Sequence, residues 1–314
     1  MKILIGCDGT PAGRAALEDL ARAGLPPDAD AVAMTVADVW LAPGDPDPRV
    51  SRAIPAVGRA HERAERLLAD ARAEARRSAD RLRRLFPGWT VAEDAAADSP
   101  AWALLKKARA WSPDLLVVGA TGKKALARLT LGSVSQKVLA EARGSVRIGR
   151  SGPPTDGGLR LLVAVDGSPD SDRAVNAVLQ RRWPADTRVR VMAVVDDRLL
   201  SAAALRMAPL ARWMKPGDTD PAAWVGRMVE ESCARLQGQG LLVSGRVEKG
   251  NPKTVLVEKA AKWRAHALYL GARGLTRWER FMLGSVSTAV AARAVCSVEV
   301  VRGPRRETAL TGPA

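Results

Sequence analysis

The sequence predicts an α/β protein built from two homologous domains, each a doubly wound parallel sheet, and three observations carry that reading. First, the chain repeats itself. KILIGCDGT at Lys2–Thr10 resembles RLLVAVDGS at Arg160–Ser168, and AVAMTVAD at Ala31–Asp38 resembles RVMAVVDD at Arg190–Asp197. DLLVVGATG at Asp114–Gly122 resembles ALYLGARG at Ala267–Gly274, and LGSVS at Leu131–Ser135 recurs at Leu283–Ser287. A repeat of this length marks duplicated structural units. Second, short apolar runs alternate with helical patterns, which calls for parallel strands joined by right-handed helical crossovers. Third, a glycine pattern follows the fourth apolar run of each copy at identical spacing. The expected boundaries are residues 1–149 for the first domain, 150–158 for a Pro/Gly-rich linker, 159–303 for the second domain and 304–314 for a flexible tail.

Each element has a local reason. Ile3–Cys7 is a continuous apolar run, as expected of a strand covered on both faces. Pro11–Ala23 reads as a helix with proline in its first turn. Ala31–Val39 is a second buried strand, and the prolines of 41–55 mark a loop. Ala56–Leu85 reads as a long helix with Ala60, Ala64, Leu67, Leu68, Ala71 and Ala75 on one face. Its arginines read as a solvated face, supported by Glu62–Arg66 and Asp80–Arg84 at i,i+4. Thr90–Ala95 is a weaker strand, and Ser99 is placed to cap a helix over Pro100–Trp111. Leu115–Val118, Val134–Glu141 and Val146–Gly149 complete the first copy as strand, helix and strand. The second copy repeats the order. Its strands fall near Arg160–Val165, Val189–Val195, Leu241–Val247, Leu268–Gly271 and Ser297–Val301. Its helices fall near Asp170–Arg181, Asp220–Gln237, Lys253–Arg264 and Val286–Ala294.

Composition narrows the classes of function. The 314 residues carry 49 Lys and Arg against 34 Asp and Glu, a formal net charge of +15. The excess is shared, +6 up to Arg150 and +9 after it, so it is no basic tail. It reads as a compositional bias with a solubility effect; the sharper alternative is an electrostatic footprint for a polyanion. No apolar run approaches the ~18 residues of a membrane span. The first residues read as a buried strand and not as a signal peptide. Cys7, Cys233 and Cys296 have no metal or redox spacing, which fits a cytoplasmic protein.

The residues with chemical meaning follow strands. In a doubly wound sheet, ligands sit beyond the carboxyl ends of the strands where the strand order reverses. Asp8 and Asp166 end the first strand of each copy, and Val36 and Val194 lie near the end of the second. Gly119 and Gly122 are followed after nine residues by Gly132, Ser133 and Val134. Gly271 and Gly274 are followed after nine by Gly284, Ser285 and Val286. Glycine lets backbone approach an anion, and a helix opening on Gly-Ser offers N–H groups and a dipole to phosphate.

The pattern G-x2-G-x9-G-S-V, with an early V-D-G-S, resembles the universal stress proteins of the ATP-binding type across nearly the whole chain. The resemblance implies ATP as ligand, with Mg²⁺ carried by the triphosphate. It implies adenine contacts from Asp8 with Val36 and from Asp166 with Val194. Ribose and phosphate would lie along Gly119 with Gly122 and Gly271 with Gly274. The phosphates would be held by Gly132, Ser133 and Val134, and by Gly284, Ser285 and Val286. Family members pair through their last strands, so a tandem chain resembles a dimer fused into one, a pseudo-dimer, with further homo-oligomers through the same strands also implied. The second copy ends SVEVVR, which suits pairing. The first ends SVRIGR, where Arg147 and Gly149 interrupt the apolar run and leave its pairing edge open.

Other chemistry has little support in the residues. G-x4-G-K-[ST], HExxH and CxxC are all missing. His61 and His266 read as structural or exposed, and no nucleophile has a visible base and orienting acid. The expected function is a nucleotide-dependent sensor or regulator of a stress response with an unknown protein partner. The alternatives are a slow ATPase or adenylate-chemistry enzyme, for which Glu279 is the nearby acid, and a polyanion-associated protein. Nucleic acid is disfavoured, since the aromatic residues do not interleave with the basic ones. The basic segments 123–128 and 275–280 read equally as a draw for phosphates or as solvated loop, and Trp278 reads as a packing residue or surface contact.

Overall fold

The computed structural model describes residues 1–41, 47, 49, 52, 54–120, 131–155, 158–197, 200, 210, 212–218, 220–238, 240–274 and 283–303. Gly122, Trp278, Glu279, the basic loop segments and the tail fall outside them.

The first half contains β1 (Lys2–Cys7), α1 (Pro11–Asp19), β2 (Asp30–Ala37), α2 (Pro55–Leu85), β3 (Thr90–Ala97), α3 (Pro100–Trp111), β4 (Leu115–Gly119), α4 (Ser133–Glu141) and β5 (Ser145–Gly149). The second contains β6 (Arg160–Ala164), α5 (Pro169–Leu179), β7 (Arg188–Val195), α6 (Pro221–Gln237), β8 (Leu242–Lys249), α7 (Pro252–Lys262), β9 (Ala267–Gly271), α8 (Ser285–Arg293) and β10 (Ser297–Val301). Six of these helices open on proline, whose missing N–H costs nothing in a first turn.

All ten strands form one sheet in the order β3-β2-β1-β4-β5-β10-β9-β6-β7-β8. Within each half every pairing is parallel. The halves meet through β5 and β10, which run antiparallel with Arg147 opposite Glu299. Strand order reverses between β1 and β4, and again between β6 and β9, so each half has its own switch point.

One face of the sheet carries a continuous apolar core beneath α3, α4, α7 and α8. It runs from Leu4 and Leu116 through Val146, Ile148, Val298 and Val300 to Leu162 and Leu268. The opposite face carries two separate cores. Ile3, Ile5, Leu17, Leu82 and Val117 lie under α1 and α2, and Val163, Val175, Val191, Met228 and Tyr269 lie under α5 and α6.

Between those two cores the sheet is charged. Arg147, fully buried, donates from Nε to Asp19 Oδ2 at 2.7 Å and from Nη1 to Glu299 Oε2 at 3.1 Å. Arg181 donates from Nη2 to Glu299 Oε1 at 2.5 Å. Tyr269 Oη accepts from Nη1 of Arg147 at 3.1 Å and of Arg181 at 2.9 Å. Burial opposes the charge on Arg147, but Asp19, Tyr269 and Glu299 outweigh it and hold the guanidinium above its ordinary pKa.

Several local expectations are corrected. Arg147 and Gly149 do not weaken the pairing edge: Arg147 is paired within it, and Gly149 is where α1 presses on β5. A Cβ at Gly149 would lie 2.5 Å from Ala16 Cα. Both last strands are flanked on each side within the chain, β5 by β4 and β10, β10 by β5 and β9, so neither offers a free edge for a homo-oligomer. Ala60 and Leu67 are exposed, Leu67 at the margin of the covered face between buried Ala64 and Ala71, and the buried stripe is Ala64, Ala71, Ala75, Ser78, Ala79 and Leu82. Asp80 pairs with Arg83 at 2.7 Å, one residue closer than expected, while Glu62 and Arg66 pair at 3.4 Å. Ser99 occupies the cap position of α3 without a side-chain cap bond; its N–H donates to Asp98 Oδ1 at 2.6 Å.

Candidate functional site

The two switch points are built alike. At the end of β1, Asp8 Oδ1 accepts from the Thr10 N–H at 3.0 Å and from Thr10 Oγ1 at 2.6 Å. Thr10 Oγ1 in turn accepts from Gly13 N–H at 3.1 Å and caps α1. At the end of β6, Asp166 Oδ1 accepts from the Ser168 N–H at 3.0 Å, and Ser168 Oγ caps α5 by accepting from Ser171 N–H at 3.2 Å. The sequence D-G-[ST]-P is thus first a strand-to-helix turn: the glycine has positive φ, 69° at Gly9 and 81° at Gly167, and the aspartate braces the cap. Burial pushes the Asp166 carboxyl above its ordinary pKa, with the Ser168 and Ser171 contacts working against that.

Beyond β4 and β9 the same repetition holds. Gly132 N–H donates to Ala120 O at 2.9 Å, and Gly284 N–H to Ala272 O at 2.8 Å. Each bond closes the base of the intervening loop. Ser135 Oγ donates to Gly119 O at 2.6 Å, and Ser287 Oγ to Gly271 O at 2.8 Å. These serines fasten α4 and α8 to the strand ends. They were not singled out from sequence, although the doubled LGSVS carried them. Both helices start from a glycine cap, Gly132 and Gly284, so that Ser133 with Val134 and Ser285 with Val286 form their first turns just beyond the strand ends.

The first glycine of each pair has a reason within the protein. A Cβ at Gly119 would lie 2.8 Å from Ala12 O, and one at Gly271 would lie 2.6 Å from Asp170 C. The fourth strand of each half therefore touches the start of the first helix there. Gly274 is exposed, and a Cβ on it would lie 2.7 Å from Asp166 Oδ2. In the second half, then, Asp166, Gly271, Gly274 and Gly284 come together; in the first, Asp8, Gly119 and Gly132 do. Val36 and Val194 sit one strand away. β1 ends at Cys7 opposite Thr35 and β6 at Ala164 opposite Met192, so each valine extends past its inner neighbour and pairs only outward, with Ala96 or Glu248.

Among the described residues, the second site has a charged rim. Arg273 donates from Nε to Asp170 Oδ2 at 3.0 Å, and Arg173 pairs with the other oxygen of Asp170, bridging one rim of the second crevice. The matching positions of the first half are Ala12, Ala15 and Thr121. Sequence comparison of the two copies contained this difference, but only the fold shows that the three side chains meet.

Reactive chemistry is scarce elsewhere. Cys7 and Cys296 are buried, and burial pushes their thiols up to about 12 and about 11. Cys233 is buried as well. His61 lies 3.5 Å from Glu65, and buried His266 accepts the Arg160 N–H on Nδ1 at 2.9 Å. Among the described residues there is no cluster of three or more His, Cys, Asp or Glu able to hold a metal, and no helix long and apolar enough to cross a membrane.

Comparison with known proteins agrees with this architecture. The universal stress protein family model matches residues 1–148 and 159–302. A universal stress protein of Mycolicibacterium smegmatis is 29% identical over 227 residues, 68% of this chain and 70% of that protein. The crystal structure of a universal stress protein from Archaeoglobus fulgidus superposes with a TM-score of 0.59 at 20% identity, covering 96% of this chain and 98% of that one. A functionally unknown protein from Pseudomonas aeruginosa superposes at 0.55 with 15% identity, covering 96% and 92%. At such identities the structures speak to the fold alone, whereas the family match spans almost all of the chain. With two copies of the matched unit joined in one sheet, the chain belongs to the universal stress protein family.

Proposed function

We propose that this chain binds ATP at both switch points and acts as a nucleotide-dependent regulator in the stress response. The observation that supports the reading best is the duplicated junction of strand end and helix start. In each half a helix begins on Gly-Ser with no capping side chain, fastened by a serine to the end of the fourth strand, beside the aspartate that ends the first strand. Such a start favours an anion through its N–H groups and dipole. The donor set suits a nucleotide: aspartate and extended backbone for the base, glycines for ribose and phosphate, helix start for the distal phosphates. With no acidic cage among the described residues, Mg²⁺ would travel with the triphosphate. A cytoplasmic setting suits the three unpaired, buried cysteines.

The test is to denature freshly purified protein and identify the released nucleotide by chromatography. Close to two ATP per chain is expected. ADP in its place would point to turnover. No nucleotide, together with no thermal stabilisation by added Mg-ATP, would overturn the reading. Ser133→Asp and Ser285→Asp put a carboxylate in the first helical turn, where it suits the helix but repels phosphate. Each should remove about one nucleotide per chain without lowering the melting temperature of the nucleotide-free protein.

A further inference from the structure

We infer that the buried charges at the seam between the halves make each half a selective partner for the other and reject pairing of like halves. Much of the rest of the seam follows the repeat, although Arg181 Nη1 also donates to Ala23 O and the Arg182 N–H to Gly24 O, each at 3.0 Å, without a counterpart in the other direction. Arg150 N–H donates to Ser297 Oγ at 3.0 Å, and Arg302 N–H to Ser145 Oγ at 3.2 Å. Arg150 Nη2 reaches Ala291 O, near the end of α8, at 2.5 Å, and Arg302 Nη2 reaches Leu139 O, near the end of α4. Arg150 Nη1 also donates to Cys296 O, and Arg302 Nη1 to Gly144 O. On the apolar face, Val146 and Ile148 meet Val300 and Val298. Each of the Arg150, Arg302 and apolar contacts is made twice, once in each direction, and a pair of first halves or of second halves would reproduce them.

The charged face does not repeat in this way. Arg147 and Glu299 hold the same position of SVRIG and SVEVV and stand directly opposite each other. Asp19 lies behind Arg147 within the first half, and Arg181 lies behind Glu299 within the second. Across the seam the charges run minus, plus, minus, plus. Two first halves would set Arg147 against Arg147, and two second halves would set Glu299 against Glu299. Both oppositions would be buried, since Arg147 and Glu299 are 0% and 1% exposed. Like charges in such a place cost far more than the attraction they replace. The cluster is therefore a partner-choice device, comparable in logic to polar residues that set register in coiled coils.

The experiment starts from the folded full chain with a protease site inserted in the linker at 154–155. After cutting, native mass spectrometry reads the composition of the complex before and after dilution and reconcentration. The mixed pair is expected to exceed either like pair by at least about 100-fold, given the cost of juxtaposed like charges. In the variant Asp19→Asn/Arg147→Met/Arg181→Met/Glu299→Gln that excess should fall at least about tenfold, with like pairs appearing. If this variant does not fold, Arg147→Met/Glu299→Gln, which removes only the central pair, takes the same reading. Like pairs in the cut wild type at the level of the mixed pair would overturn the inference. So would a neutral variant that folds and stays exclusively mixed, because selectivity would then reside elsewhere.

Discussion

His266 is buried beside the linker, with Nδ1 accepting the Arg160 N–H. Burial first, and then Arg160, lower its pKa, with Arg22 and Arg264 adding to the effect and a contact to the Pro154 carbonyl opposing it. The folded chain therefore holds this imidazole neutral where the unfolded chain would protonate it. Its contribution to stability is complete above the ordinary histidine pKa of about 6.5 and declines as pH falls below that value. The urea midpoint of the wild type should drop on going from pH 7.5 to pH 5.5, and His266→Asn should drop less. Equal drops would mean that other groups dominate the acid response. Arg147 makes the complementary case: Arg147→Ala leaves buried Asp19 with its 3.9 Å contact to Arg22 and Glu299 with one fewer partner. Breaking a buried pair from one side costs about 3–5 kcal/mol, which urea titration would register. Neither role was legible in the sequence. A lone histidine before a strand and an arginine inside one have no local signature of their partners, which lie 106 and 152 residues away.

At the scale of the element, the strands and helices were nearly all legible, since each is written locally as an apolar run or a proline-led amphipathic stretch. The misplacements sit where tertiary contact decides. Ala60 precedes the covered part of α2, and Leu67 falls at the margin of the face on which Ala64 and Ala71 are buried. Gly149 looked like a defect in β5 and is instead the point at which α1 bears on that strand. Gly149→Val, which copies Val301 of the second half, should cost about 1–3 kcal/mol as an overpacked site, or more if α1 cannot shift. A melting temperature unchanged within a degree would show that α1 yields freely. The serines that fasten α4 and α8 make a matched pair of tests. Ser135→Ala removes the bond to Gly119 O, and Ser287→Ala the hydroxyl shared between Gly271 O and Ala272 O, each worth about 1 kcal/mol. Each should also weaken nucleotide retention in its own half, read as loss of close to one nucleotide per chain.

For the whole molecule, the continuous ten-stranded sheet and the single core beneath α3, α4, α7 and α8 tie the halves into one cooperative unit. Calorimetry should show one unfolding transition, with calorimetric and van't Hoff enthalpies in agreement. Two resolved transitions would mean that the seam yields first. The duplication made the architecture of each half legible from sequence, and with it the aspartates and described glycines that the fold brings to the two switch points, but not the fastening roles of Ser135 and Ser287. The joint was less so, because which last strand pairs with which, and with what charges between them, depends on side chains that meet only after both halves have formed.

The antiparallel seam has one more effect. Because the five strands of the first half run against the five of the second, their carboxyl ends emerge on opposite edges of the sheet. The two crevices therefore look away from each other. If nucleotide fills both crevices, a partner lying along one edge would meet one crevice only, and a second partner could meet the other without competing. The path through the sheet from one crevice to the other crosses β5 and β10, and with them the buried pair of Arg147 and Glu299.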